Sequence, residues 1–150
     1  MGKHKWTLGS RIEITADMYD SPAYRELTRN GMLALQRFLQ KRKWSILRKK
    51  RAYQNTNIKF TFVEARDHLG IKSKGGWQKV LKQLIENGFI KIDHQGGIAG
   101  DNDRSVYSLV DHWEKYGQSD FVKKEKQRVL WKGRDVRAYM KLKIGTPQCT

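Results

Sequence analysis

LGIKSKGGWQKVLKQLIENGFIKI, which runs from Leu69 to Ile92, is the stretch that decides the fold. Its large apolar residues recur at the spacing of one face of a helix, because they fall at i, i+3, i+4, i+7 and i+8. The residues of this apolar stripe are Trp77, Val80, Leu81, Leu84 and Ile85. Ser73 is placed to cap the helix, Gly88 is placed to end it, and FIKI follows with the pattern of a strand. The stretch therefore predicts a tight turn, a helix and then a strand.

The opposite face of this helix is basic and polar. It carries Lys74, Gly75, Gln78, Lys79, Lys82 and Gln83, and no acidic residue occurs in the helix before Glu86. Basic and amide side chains on the first turns of an exposed helix are the groups that can reach base edges and flanking phosphates. The face predicts contact with a nucleic acid.

Two adjacent glycines, Gly75 and Gly76, stand at the start of the helix. In a helix interior each costs about 1 kcal/mol relative to alanine. One interpretation is that they let the backbone approach DNA closely and leave N–H groups at the positive end of the helix dipole for a phosphate. The other is that they belong to a loop, and that the helix begins at Trp77. The sequence leaves both interpretations open.

The composition points to a polyanionic partner. The chain has 150 residues, a formal net charge of +16 and a pI near 10.1, which predict attraction to nucleic acid or to an anionic membrane surface. Residues 1–75 hold 17 Lys and Arg against 6 Asp and Glu. Within them, residues 37–51 hold eight basic residues and no acidic one. A run of this density favours phosphate contact over a merely solvated surface, and such contact adds affinity without selectivity.

Other features limit the location and the chemistry. No run of about 18 apolar residues occurs, and the first residues lack the apolar centre of a secretory signal. We therefore expect no membrane insertion and a cytoplasmic protein associated with the nucleoid. The single cysteine, Cys149, cannot form an internal disulfide or a cysteine-rich metal site. No phosphate-binding loop, zinc motif or serine elbow occurs, so we expect no enzyme activity, no cofactor and no bound metal.

Local signals place the elements that precede this stretch. Ser21 followed by Pro22 starts one helical segment, and Thr28 caps a second. Residues 41–57 are predicted to form an irregular connection, with a helical turn around residues 44–47. The alternation in IKFTF, residues 58–62, predicts a short strand.

The next helix has clear signals at both ends. Thr61 and Glu64 have the spacing of a capping box, and Gly70 is placed to end the helix. After the basic helix, FIKIDHQ and SVYSLV alternate as two strands joined by the polar, glycine-rich GGIAGDND. Two such strands predict a hairpin. The predicted order is helix, strand, short helix, tight turn, helix and hairpin.

TFVEARDHLGIKSKGGWQKVLKQLIENGFIKIDHQGG resembles the winged helix-turn-helix DNA-binding superfamily, and the resemblance covers about residues 21–116. It also looks like small regulators and replication-related proteins of bacterial or archaeal mobile elements. It implies an α+β fold with a three-helix core, a short strand and a β-hairpin wing. A basic N-terminal arm, residues 1–20, would precede this domain. Residues 117–150 would form a basic C-terminal extension, either a strap packed on the domain or an arm along a phosphate backbone.

The resemblance and the charge pattern together give a set of expected DNA contacts. On and beside the recognition helix they are Ser73, Lys74, Gly75, Gly76, Gln78, Lys79 and Lys82. In the basic run they are Lys41, Arg42, Lys43, Arg48, Lys49, Lys50 and Arg51. The wing offers Arg104, but its neighbours Asp101 and Asp103 depart from the basic wings typical of the superfamily, and we expect them to organise the turn instead.

Three functions remain open at the level of the sequence. The first is duplex DNA binding by a recognition helix in the major groove, in transcription regulation or in DNA replication and maintenance. The second is RNA binding, because charge alone does not separate the two polymers. The third is a protein-interaction module without nucleic-acid binding. A homodimer is compatible with the first, since one winged helix reads few base pairs.

Overall fold

The computed structural model describes residues 12–47, 50–96 and 103–124, and for residues 44–47 and 50–52 it describes the backbone alone. Within these ranges the chain forms five α-helices, five strands and a final 3-10 helix. The helices are α1 (Ala16–Asp20), α2 (Pro22–Arg25), α3 (Arg29–Gln40), α4 (Phe62–Leu69) and α5 (Lys74–Glu86), and the 3-10 helix is His112–Lys115. The strands are β1 (Lys43–Leu47), β2 (Lys50–Gln54), β3 (Ile58–Lys59), β4 (Ile90–His94) and β5 (Val106–Leu109).

The fold is α+β, as predicted. Strands β3, β5 and β4 form one antiparallel sheet in that spatial order. Tyr107 on the central strand pairs with Ile58 on one side and with Ile92 on the other. Strands β1 and β2 form a separate two-stranded hairpin between α3 and β3. The sheet and the three longer helices α3, α4 and α5 enclose the core.

The starts of α2 and α3 are set by the side chains that the sequence indicated. The hydroxyl of Ser21 accepts a bond from the Tyr24 N–H at 3.2 Å, and Pro22 occupies the first turn. The hydroxyl of Thr28 accepts from the Gly31 N–H, also at 3.2 Å. Each cap satisfies one of the backbone donors that a helix leaves without an internal partner. Both predicted caps are confirmed.

Helix α4 begins with a complete capping box. Thr61 accepts from the Glu64 N–H while the Glu64 carboxylate accepts from the Thr61 N–H. Gly70 ends the helix with a φ of 70°, which a residue with a Cβ adopts only under strain. The strand predicted over residues 58–62 is shorter than expected: β3 covers Ile58–Lys59, and Phe62 already belongs to α4. The capping box starts the helix before the alternation can continue.

The apolar stripe of α5 faces inward. All five of its residues are buried, and Trp77 is 3% exposed. The Trp77 ring lies 4.8 Å from the ring of Phe60 between centroids. Phe38 of α3 in turn contacts Phe60 and Tyr107 edge-on, at 5.0 and 5.3 Å. These aromatic contacts join α3, α5 and the sheet into one core. Helix α5 is therefore held in place by its buried side.

The segment after α3 is where the structure departs from the sequence prediction. An irregular connection with a helical turn around residues 44–47 was expected, but β1 and β2 pair there in an antiparallel register, from Lys43 opposite Gln54 to Leu47 opposite Lys50. The prediction was wrong because each residue of β1 pairs with a residue of β2, and the local spacing of residues does not show that pairing. Trp44, Ile46 and Tyr53 are aromatic or β-branched residues, which favour strands.

Both ends of the described chain pack against the core. Helix α1 lies within the segment 1–20, and Ile14 and Met18 are partly buried against the core. After the 3-10 helix, Phe121 packs edge-on against Tyr116 at 5.1 Å between ring centroids. Residues 125–150, which hold most of the predicted strap or arm, lie outside the described residues. Among the helices described, none has the length and apolar character needed to span a membrane.

Candidate nucleic-acid interface

The exposed side of α5 brings together four of the residues that the sequence singled out. Lys74, Gln78, Lys79 and Lys82 are all exposed. Lys79 and Lys82 lie opposite the buried stripe, whereas Lys74 and Gln78 stand at its edge, seven residues before Leu81 and Ile85. We call these four residues the α5 basic face. Three ammonium groups and one carboxamide thus project from a helix whose other side is held in the core. A rigid helix of this kind presents its side chains in a defined arrangement.

The single acid of α5 lies at the far end of the helix. Glu86 is the last residue of α5, and its side chain is 18% exposed. Its carboxylate lies 3.7 Å from the ammonium of Lys82 and 3.5 Å from that of Lys123. Two cations therefore surround this one negative charge. The first turns of the α5 basic face carry no carboxylate of their own that would repel a phosphate.

The two adjacent glycines at the amino end of α5 have different surroundings. The helix begins at Lys74, with Ser73 as its cap, so the interpretation that the helix starts at Trp77 is wrong. The N–H of Gly76 already donates to the Ser73 hydroxyl at 3.0 Å. A Cβ on Gly76 would lie 3.1 Å from that hydroxyl, whereas a Cβ on Gly75 would meet nothing within 4 Å. Only Gly75 stands against open space, where another surface can approach.

Lys41 lies in the predicted basic run but has internal partners. Its ammonium bonds to both oxygens of Glu64 at 2.7 Å, and it lies 5.0 Å from the centre of the Phe60 ring. The Lys41 side chain is 17% exposed. Burial by itself would raise the pKa of Glu64, but the bonds from Lys41 and from the Thr61 backbone outweigh it, and the pKa is lowered.

Arg42 is also engaged at the base of the hairpin. Its guanidinium lies 4.3 Å from the centre of the Tyr53 ring, and its Nε donates to the Leu39 carbonyl at 3.1 Å. Burial lowers the pKa of Arg42, and electrostatic interactions with Tyr53 and Glu13 partly oppose that shift. Lys41 therefore joins the end of α3 to α4, and Arg42 joins it to β2.

The structure describes the rest of the predicted basic run only in part. Lys43 is exposed at the start of β1. Lys50 and Arg51 lie in β2, where the structure describes the backbone alone, and Arg48 and Lys49 lie outside the described residues.

Arg104 precedes β5 on the surface of the protein. Arg104 is exposed, and Asp101 lies outside the described residues. Asp103 approaches the opposite strand, where its carboxylate lies 2.6 Å from the Nε2 of His94. The Gly96 N–H donates to the Ser105 hydroxyl at 3.0 Å. The β4–β5 hairpin thus has cross-strand side-chain contacts next to its connecting loop.

Gln83 does not belong to the exposed face, although the sequence placed it there. It is half-buried, and its carboxamide bonds to Thr28 and to the Glu26 carbonyl, at the connection between α2 and α3. These partners lie far away in the sequence, so no local pattern distinguishes Gln83 from its exposed neighbour Gln78. The sequence prediction was therefore wrong for Gln83, which contacts the α2–α3 connection and does not belong to the exposed face.

Comparison with known proteins adds no relative. No protein-family model matches the chain, and neither a curated protein nor a solved structure matches it. Among the described residues, no group of three or more His, Cys, Asp or Glu side chains is arranged to hold a metal ion. The functional interpretation therefore depends on the α5 basic face and its surroundings.

Proposed function

We propose that this protein binds double-stranded DNA with a winged helix-turn-helix fold, in which α5 enters the major groove as the recognition helix. The observation that carries the proposal is the α5 basic face: it is exposed, and it has no carboxylate in the first turns of the helix. The element order supports it, since α4 and α5 are joined by a short turn and the antiparallel hairpin β4–β5 follows. Helix, turn, helix and wing is the order of that superfamily.

Within the major groove the side chains of α5 take different roles. The carboxamide of Gln78 has both a donor and an acceptor, which matches the paired acceptor and donor that adenine presents there. Lys79 is adjacent in the sequence and can bond to guanine or to a phosphate. Lys74 and Lys82 flank them and contact phosphates, which fix the register of the protein on the duplex. Ser73, Gly75 and Gly76 form the amino end of the helix, where the dipole favours a phosphate.

Basic residues outside α5 supply affinity that does not depend on sequence. Lys43, Lys50 and Arg51 belong to the strands β1 and β2, and the predicted basic run also contains Arg48 and Lys49. Phosphate contacts of this kind release counterions and so make binding sensitive to salt. Arg104 of the wing is a further phosphate or minor-groove contact. Lys41 and Arg42 are left out of this set, because both are partly buried against internal partners, unlike the exposed Lys82.

The biological role that we propose is regulation of transcription or a part in DNA replication or maintenance. One winged helix reads few base pairs, so a selective protein of this type would act as a homodimer on a two-fold repeated site. The alternatives are RNA binding and a protein-interaction module without nucleic acid. The experiment below separates them.

The test is selection of binding sites from a random duplex pool at near-physiological salt. We expect a motif, and an affinity for it that falls with salt with a log–log slope of roughly −5 to −7, for six to eight phosphate contacts. Duplex DNA should compete better than structured RNA. The absence of a motif together with stronger competition by RNA would favour the RNA-binding alternative, and an affinity for nucleic acid that is absent or insensitive to salt would favour the protein-interaction module.

Two substitutions locate the reading surface. Gln78→Ala and Lys79→Ala should relax the sequence preference, with each lost base contact changing the discrimination by about 1–3 kcal/mol. Gln118→Ala and Lys115→Ala are matched controls, because both residues are exposed outside α5. If the controls relax the preference as strongly as the α5 variants do, α5 is not the recognition helix.

A further inference from the structure

The carboxamide of Gln83 joins α5 to the connection between α2 and α3. Its Oε1 accepts from the Thr28 N–H at 3.1 Å and from the Thr28 hydroxyl at 3.0 Å, and its Nε2 donates to the Glu26 carbonyl at 3.2 Å. The orientation of the amide is determined by these partners, because the opposite one would set its NH₂ against a backbone N–H. Every bond is directional, so together they resist rotation of α5 about its own axis.

Gly31 is the second observation that points to this contact. It lies within α3 and is buried, where glycine lowers helix stability relative to alanine. A Cβ at this position would lie 2.6 Å from the Oε1 of Gln83, closer than real contacts allow. The absence of a side chain at Gly31 makes room for the carboxamide of Gln83. Residues from two separate helices are thus matched to each other.

A second amide lies one turn further along. Asn87, the residue that caps the carboxyl end of α5, donates from its Nδ2 to the Ala23 carbonyl at 2.9 Å, and it is buried. Gln83 and Asn87 are four residues apart and therefore lie on the same side of the helix. They contact the chain at Ala23, Glu26 and Thr28. The apolar stripe holds α5 against the core, and these amides add directional bonds to the α2–α3 connection.

We propose that Gln83 is a positioning residue for DNA recognition: it fixes the rotation of α5 and so directs the α5 basic face toward the bases. Nothing in this role requires Gln83 to contact DNA. The effect of Gln83 on DNA recognition rests on the proposed function. The contact between Gln83 and the α2–α3 connection can be tested without DNA. The positioning role predicts that loss of Gln83 reduces selectivity more than it reduces total affinity.

The contact is tested first by unfolding in urea, without DNA, using the wild type, Gly31→Ala, Gln83→Ala and the double variant. In the Gln83→Ala background, Gly31→Ala should raise the folding equilibrium constant by up to about two- to fivefold, because alanine is the better helix residue and the 3.3 Å approach of its Cβ to the Thr28 hydroxyl is the tight contact that remains. In the wild-type background the new methyl group displaces the end of a flexible side chain. The gain there should be smaller or become a loss. Equal gains in both backgrounds would overturn the matched contact.

The consequence for recognition is tested by the ratio of affinities for the selected site and for a scrambled duplex. Gln83→Ala and Gly31→Ala should each lower that ratio about tenfold, the size of one impaired base contact, with an unchanged salt slope. Ile85→Val is the control, because it destabilises α5 from its buried side without touching the carboxamide. A ratio of affinities that stays constant in both Gln83→Ala and Gly31→Ala, or that falls equally in Ile85→Val, would overturn the positioning role. If the wild type shows no selective duplex binding, the proposed function fails, and the urea result still decides whether the contact exists.

Discussion

The basic side chains of α5 and those at the base of the β1–β2 hairpin lie in contrasting surroundings. Lys74, Lys79 and Lys82 are exposed on a helix without an acid in its first turns, although Lys82 also lies 3.7 Å from Glu86 at the last turn. Lys41 and Arg42, in contrast, contact a carboxylate, aromatic rings and a backbone carbonyl of the same molecule. In the sequence the hairpin region is the denser in charge.

The difference teaches that the density of charge in a sequence does not measure the charge available to a partner. Glu64 is 23 residues away from Lys41 in the chain, yet its carboxylate takes up the ammonium of Lys41. A cation with a carboxylate at 2.7 Å must give up that bond before it can bind a phosphate at full strength. The sparser charge of α5 is therefore the better candidate for recognition.

The largest expected effect tests whether the two sides of α5 differ as described. Leu84 is 0% exposed, so Leu84→Ala should lower the free energy of unfolding by about 2–5 kcal/mol through lost burial and a residual cavity. Lys79→Ala, on the exposed side, should change it by less than about 0.5 kcal/mol. Urea unfolding measures both variants. Equal losses would mean that the two sides are not distinct.

The next effect concerns the basic residues 49–51 of the predicted run, and it rests on the proposed function. Replacing Lys49, Lys50 and Arg51 together by alanine should weaken binding to all duplexes alike and flatten the salt slope by up to about 2–3. The control replaces Lys59, Lys91 and Lys115, which removes the same charge elsewhere. Titrations over a range of salt concentrations measure the slope. An equal flattening in the control would show that net charge alone is responsible.

A smaller effect sharpens the internal role of Lys41 and Glu64. The pKa of Glu64 is lowered from its ordinary 4.5, so the stabilisation from its ionised form is present above that value and is lost as the pH falls through the lower, folded-state pKa. Glu64→Gln should cost about 1 kcal/mol at neutral pH, where the capping bond and the ion pair are weakened.

The pH dependence provides the second half of this test. Glu64→Gln should also lose less stability than the wild type between neutral pH and the acid range, as measured by urea unfolding at several pH values. Lys41→Met removes the other partner and should likewise reduce the difference. If the wild type and Glu64→Gln have parallel pH profiles, Lys41 is not held by this carboxylate and is available to DNA.

The smallest effect concerns another carboxylate that has an internal partner. The hydroxyl of Tyr116 donates to Glu26, and this bond, with burial, raises the pKa of Tyr116 to about 12. Stability should therefore fall as the pH rises from the ordinary tyrosine value of 10 toward 12. Tyrosinate absorbance measures the titration, and Glu26→Gln should move the pKa of Tyr116 back toward 10. An unchanged titration in that variant would assign the shift to other groups.

The sequence predicted those parts of the fold that depend on neighbours a few residues apart. The caps at Ser21, Thr28, Thr61 and Ser73 each use a backbone N–H three residues further along. The stripe of α5 is likewise fixed by helical periodicity, which the sequence displays directly. The strand at residues 58–62 was predicted too long because its last residues take part in the capping box of α4.

The sequence by itself therefore determined the starts of α2, α3 and α4, the buried stripe of α5, and the α+β class. Only the tertiary structure decided that residues 43–54 pair as a hairpin, that Glu64 holds Lys41, and that Gln83 faces Thr28 rather than solvent. The physical reason is that hydrogen bonds and ion pairs act over a few ångströms in space. Gln83 and Thr28 lie 55 residues apart in the chain, and only the folded core brings them within that distance.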